Sequence, residues 1–253
     1  VSEPESFCRS ATERGHNGLP IAVLVLGTPL LVWGLAGLPG GRWLLPIAVP
    51  LTLYPLFRPR VERGDYGAAY GVGMLWAALL SLSVITLVYF EPERARAGIL
   101  HGQQYAQEMM RWVEIGSGTE VTPRAFLPQH LLHLCVFALL TWVSGGYLGL
   151  ALGAALVGYM SYFVGIYAVA SGHPWMGPVI AWVPWSVVRV AAFVLLGALL
   201  SRPLLRRRLW PLDFGRTERR LLTLALAGIV CDLVLKTLAA PAYGRFLREF
   251  LGP

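Results

Sequence analysis

Three ionisable residues of this 253-residue chain, Arg189, Asp232 and Lys236, stand inside long apolar runs. An isolated charge at the centre of a bilayer costs at least about 2.5–3.5 kcal/mol on insertion scales, so such residues pair with one another and mark structural clasps, sites or pathways. Asp232 and Lys236 lie one helical turn apart, and Arg189 falls at a similar depth in the preceding run. The spacing predicts an intramembrane ion pair between Arg189 and Asp232 that Lys236 shares. A structural clasp is the plainer reading; a proton relay is the other. A second group is imidazole-rich: His130, His133 and His173, with Glu120 upstream. Histidine and glutamate move protons near neutral pH. A metal site needs three or four convergent ligands. Two histidines three residues apart plus one on a distant loop do not supply them, so neither metal nor cofactor is expected.

The elements that must hold these residues are membrane spans. Only 14% of the chain is charged, where a soluble domain carries about 25%. From Ala125 to Val188 there is no Asp, Glu, Lys or Arg. As a helix this stretch would run about 96 Å, about three times the ~30 Å hydrocarbon core of a bilayer. A soluble enzyme, a disordered chain, a coiled coil and a nucleic-acid binder are excluded as the main reading. The net charge of +7 comes from arginines at the ends of apolar runs, the pattern of topology rather than of a nucleic-acid groove. Cys8, Cys135 and Cys231 are too widely spaced for a disulfide framework or zinc site.

The pattern predicts an all-α, polytopic integral membrane protein with seven transmembrane helices. The spans are placed at Leu19–Leu38, Trp43–Phe57, Ala68–Phe90, two within Phe126–Ser171, then Pro178–Leu200 and Leu221–Ala240. The second carries Pro46, Pro50 and Pro55 and should be kinked or partly re-entrant. A turn near Gly153 is expected between the fourth and fifth. Residues 1–18, with Glu3, Glu5 and Glu13, precede what reads as a retained first span. Arg58, Arg60 and Arg63, and then Arg202, Arg206, Arg207, Arg208, Arg216, Arg219 and Arg220, mark two loops on one side of the membrane. The positive-inside rule makes that side cytoplasmic. It puts the N-terminus inside and the C-terminus outside, as for a bacterial inner membrane protein. The loop of residues 91–124 should lie outside as short helical structure on the membrane surface, with Trp112 anchored at the headgroups. Gly145, Gly149 and Gly153 recur every four residues, spacing that suits one close-packing helix face. Trp175, Trp182 and Trp185 suit an interfacial belt.

The stretch from Arg124 to Trp182 resembles the rhomboid intramembrane serine proteases. The likeness rests on Phe126, His130 and His133, on the pair Gly145–Gly146 followed by Gly153, and on Ser171-Gly-His-Pro-Trp175-Met-Gly177 one span later. The resemblance implies a rhomboid-like core from span three onward (residues 67–253, with the surface loop 91–124), preceded by a tail and two extra spans in residues 1–66. It also exposes departures. Ile180 stands at the position of the family's nucleophilic serine, Phe137 at that of its oxyanion asparagine, and Gly149 at that of the glutamate after the glycine pair. The helix bearing the base histidine is expected after span seven. Ser186 lies two turns deeper than a nucleophile should. A serine protease needs nucleophile, base and oxyanion donors together, so the resemblance implies a pseudoprotease.

The expected function is therefore a non-catalytic membrane scaffold or assembly subunit that binds other transmembrane segments, with the lipid bilayer and membrane proteins as partners and no nucleic acid. One alternative is a transporter or channel component using Arg189, Asp232 and Lys236 as a relay. Another is an outward-facing intramembrane hydrolase built on Glu120, His130 and His133; Glu120-Val-Thr-Pro-Arg124 with Phe126 and His130 resembles the glutamate-type intramembrane proteases, without their paired glutamate and later histidine.

Overall fold

Inside a bilayer every backbone N–H must find its carbonyl within the same segment or a closed barrel, and the apolar runs resolve into helices throughout. The computed structural model describes residues 4–205 and 214–252, with side chains from residue 19 onward. Glu3, Glu5, Cys8, Glu13, Arg206, Arg207 and Arg208 lie outside the described side chains. Six helices are long and apolar enough to cross a membrane. They are α1 (Pro4–Ala36, apolar from Leu19), α4 (Tyr66–Phe90), α7 (Pro123–Ser144), α8 (Tyr147–Ala170), α10 (Pro184–Leu205) and α11 (Arg216–Leu251). Leu19, Leu30 and Leu238 are each more than 70% exposed, an arrangement that lipid, not water, would tolerate.

The expected second span is two helices, α2 (Gly41–Ala48) and α3 (Pro50–Arg63), meeting at Val49. Pro50 has no N–H to carry the ladder across that point, and neither helix alone is long enough to span. The Thr28 and Thr52 hydroxyls, 2.8 Å apart, tie α3 to α1. Leu24, Val32, Leu53 and Phe57 belong to the same buried cluster as Leu80 of α4 and Phe163 of α8.

Three other boundaries differ from the sequence expectation. The turn between the fourth and fifth spans sits at Gly145–Gly146, with φ of 61° and 98°, rather than near Gly153. Left-handed backbone is cheap only for glycine, so the glycine pair, not the later glycine, sets the turn. Gly145, Gly149 and Gly153 consequently do not form a stripe on one helix; Gly145 ends α7, and the other two are in α8. The sixth span breaks at Trp182–Val183, leaving a short α9 (Met176–Ala181) before α10 starts at Pro184. Proline at the first helical position explains the restart. Arg189 is then five residues into its helix rather than eleven, nearer the α10 N-terminus than the midpoint. The last helix runs well past the predicted 221–240, over 36 residues.

Residues 91–124 form α5 (Pro92–Gly98), α6 (Gly102–Ile115) and a 3₁₀ turn at Thr119–Val121. Trp112, expected to be a surface anchor, is fully buried. Its ring meets Trp185 edge-on at 6.1 Å and lies where a side chain on Gly244 would collide with it. The α6 segment is therefore packed into the bundle through Met109, Trp112 and Val113. Of the expected belt, only Trp175 is well exposed; Trp182 donates from Nε1 to Ser81 Oγ at 3.1 Å, and Trp185 is buried.

Candidate functional site: a buried charge cluster at the head of a cavity

Helix α11 buries a narrow seam: Ala225, Asp232, Lys236, Ala240, Gly244 and Leu247. Most of these recur at three or four residues, so they share one face, and that face carries the only two charges among the buried residues of the helix. Arg189 reaches Asp232 with both arms of its fork, Nε to Oδ2 at 2.8 Å and Nη2 to Oδ1 at 2.9 Å. Such bidentate pairs are the strongest of the charge-assisted hydrogen bonds. Lys236 does not share this carboxylate. Its ammonium donates to Glu120 Oε1 at 2.8 Å, with both side chains buried, and sits 4.5 Å from the centre of the Phe126 ring. Two cations and two anions thus close into two neutral pairs that bind α11 to α10 and to the 3₁₀ turn before α7.

Around the cluster stand aromatic and imidazole groups. His130 Nδ1 is 2.9 Å from the Phe126 carbonyl; a carbonyl only accepts, so Nδ1 carries the proton and Nε2 is left as an acceptor. That Nε2 atom is buried and has no hydrogen-bond partner among the described residues. Tyr105 of α6 stacks against Tyr159 of α8 at 4.5 Å. Burial pushes the Tyr105 hydroxyl well above its ordinary range, and the nearby Glu120 charge adds to the effect.

A cavity opens beside the cluster and runs between α4, α7, α8 and α10 toward Phe57. His130, His133, Tyr159 and Arg189 line one end; Thr141, Gly146, Gly149 and Ser201 line the other. At that second end Gly146 lies against the Ser201 hydroxyl, and Gly149 against Thr141. The Thr141 hydroxyl is fully buried without a partner among the described residues.

The family-motif positions divide between two places. His130, His133, Phe137, Gly146 and Gly153 line the cavity. Ile180 does not; it sits on α9, where its carbonyl accepts from the Tyr243 hydroxyl at 2.8 Å. Gly177 packs α9 against Ala168 of α8, and Trp175 is 87% exposed. His173 is exposed and faces the Phe250 ring at 5.0 Å, apart from the other two histidines. Among the described residues no group of three His, Cys, Asp or Glu side chains is arranged to hold a metal ion.

The pairing of Lys236 with Glu120 was not anticipated, although a signal for it exists. A lysine left over in an apolar helix needs a carboxylate, and Glu120 is the last acidic residue before the long uncharged stretch. Tyr105 and Tyr159 gave no sequence signal, because a lone tyrosine, in the polar 91–124 segment or in an apolar span, reads as packing. No family model matches the chain, and neither a curated protein nor a solved structure matches it.

Proposed function

We propose that this protein is a non-catalytic membrane scaffold or assembly subunit that holds other transmembrane segments, built on a rhomboid-like core. The kinked α2–α3 pair counts as a seventh span in this reading. The N-terminus then faces the cytoplasm and the C-terminus the outside of a bacterial inner membrane. The observation that carries the proposal is the closure of the four charges of the cluster into two neutral pairs. A relay needs a group that changes protonation, and Arg189 keeps its proton at any accessible pH while two of its nitrogens hold Asp232. A clasp needs only what is present: complementary charges on three segments. It also leaves the outer faces of α7 and α11 for partners, with Leu132, Leu139, Leu224 and Leu238 each exposed.

A second reading, the intramembrane hydrolase, is favoured by one feature only, the unpartnered acceptor on His130. Its weakness is Glu120, whose carboxylate is engaged by Lys236.

The test is photo-crosslinking in native membranes from single probes at Leu139 and Leu238. The scaffold reading expects a discrete protein adduct from at least one probe. Lipid adducts alone, from both positions, would overturn it.

A further inference from the structure

The cavity has two chemically different ends joined by an apolar lane. On α10 the lining runs from Arg189 to Ser201, twelve residues or roughly 18 Å of helix. The cavity volume is about 70 Å³, so the space between the helices is slender and suits a single polymethylene chain rather than a ring system or a branched body. The walls are Trp76, Phe137, Leu156, Val190, Phe193 and Val194, and Gly153 and Gly197 keep the lane open where a larger side chain would close it. A chain of fourteen to sixteen carbons, with bonds of about 1.52 Å, extends over much the same distance.

At the Arg189 end, two polar groups have opposite needs. Asp232 takes Nε and Nη2 of Arg189, leaving the Nη1 donors without a partner among the described residues. His130 Nε2, with its proton fixed on the other nitrogen by the Phe126 carbonyl, offers only an acceptor. The four clasp charges already cancel, so a doubly charged head would enter without a counter-charge. A carboxylic acid satisfies both groups at once. Its carbonyl oxygen accepts from Arg189 Nη1, and its hydroxyl donates to His130 Nε2 or passes its single proton to it. An ester, which only accepts, meets one of the two needs, and an alcohol must meet both through a single oxygen where the acid offers two.

We infer that the lane between α4, α7, α8 and α10 is a binding site for a long-chain monocarboxylic acid, its head at Arg189 and His130 and its tail toward Ser201. This goes beyond the scaffold reading and does not require it: the site stands or falls on binding of the acid, whatever the outer faces of α7 and α11 engage.

The experiment uses the full chain in lipid nanodiscs and a bromine-labelled hexadecanoic acid, read by quenching of Trp76, which lines the lane. Trp76→Phe identifies the part of the signal that belongs to the site. Saturable quenching that Trp76→Phe abolishes is expected. Unlabelled hexadecanoic acid should compete at least about tenfold better than its methyl ester, which leaves His130 without a donor, and better than hexadecyl phosphate. Nothing lies within 4 Å of a Cβ placed on Gly153, and its backbone is ordinary helix, so a side chain there can start without strain and Gly153→Phe should block the lane while the protein stays folded. Gly153→Leu is the milder block, and retains the test if the larger ring disturbs folding. Both should weaken the acid, Phe the more. Equal binding in a folded Gly153 variant, an ester as good as the acid, a phosphate that binds more tightly, or quenching that never saturates would each overturn the site.

Discussion

The two ends of the cavity are closed by unlike forces. At the Arg189 end, α10, α11 and the 3₁₀ turn are joined by charge, through the Arg189–Asp232 fork and the Lys236–Glu120 pair. At the Gly146 end, α7, α8 and α10 are joined by shape. Gly146 lies on Ser201, Gly149 on Thr141, and Gly197 faces the Phe137 ring. The first kind of contact is long-ranged and indifferent to small displacements but costly if halved. The second tolerates no added atom, and of its buried hydroxyls Ser201 is already bonded to the Gly197 carbonyl while Thr141 has no partner among the described residues. Helix pairs in lipid lack the hydrophobic drive of water-soluble cores and rely on these two devices; here α7, α8 and α10 meet at the Gly146 end by shape, while charge ties α11 to α10 at both levels, through Arg189–Asp232 and Arg202–Glu218.

Removing half of a charge contact should produce the largest effect. Asp232→Ala leaves Arg189 buried and unpaired, and a loss of about 3–5 kcal/mol in unfolding free energy is expected. Reversible unfolding in mixed micelles measures it. A loss below about 1 kcal/mol, the range of exposed pairs, would mean that the fork is not a clasp.

Gly146→Ala should act next. The residue has φ of 98° with Ser201 and Phe57 against it, so strain and overpacking together should cost about 1–3 kcal/mol. The same measurement on Gly153→Ala, an open helical position, should show no loss, and a difference between the two separates the turn from the lane.

Thr141→Val runs the other way. It removes a buried hydroxyl with no partner among the described residues while keeping shape, and a gain of about 1 kcal/mol is expected. A loss would show that the hydroxyl is bonded in the membrane.

The smallest effect is a titration. Tyr105 is held protonated by burial first and by Glu120 second. Its raised pKa in the folded state means that stability is complete below the ordinary tyrosine pKa of about 10 and falls as pH rises above it. Ultraviolet titration should find one fewer tyrosine absent from the normal transition in Tyr105→Phe than in the wild type.

What the sequence allowed to be read follows the same division. Apolar length located all six of the long helices, and Arg189 and Asp232 stood out because charge in an apolar run is rare. Shape left fewer traces. Gly145, Gly149 and Gly153 fit a stripe by spacing, but spacing cannot say that two adjacent glycines will adopt left-handed backbone and turn the chain at Gly145–Gly146. Pro184 falls inside the span placed at Pro178–Leu200, whereas it starts a new helix and shifts Arg189 toward that helix's end. Trp112 looked interfacial because its neighbours are charged, while its own face of α6 is the packed one. Glu120 was legible as chemistry and not as a partner, since its contact lies 116 residues away.

The claim that charge closes one end of the bundle is tested most directly by a double-mutant cycle on Glu120→Gln and Lys236→Met. Each single change leaves one buried group without its partner, whereas the double change leaves neither charge. The account predicts that the double variant unfolds at nearly the wild-type free energy, with a coupling of at least about 2 kcal/mol between the two sites. Losses that simply add would contradict it.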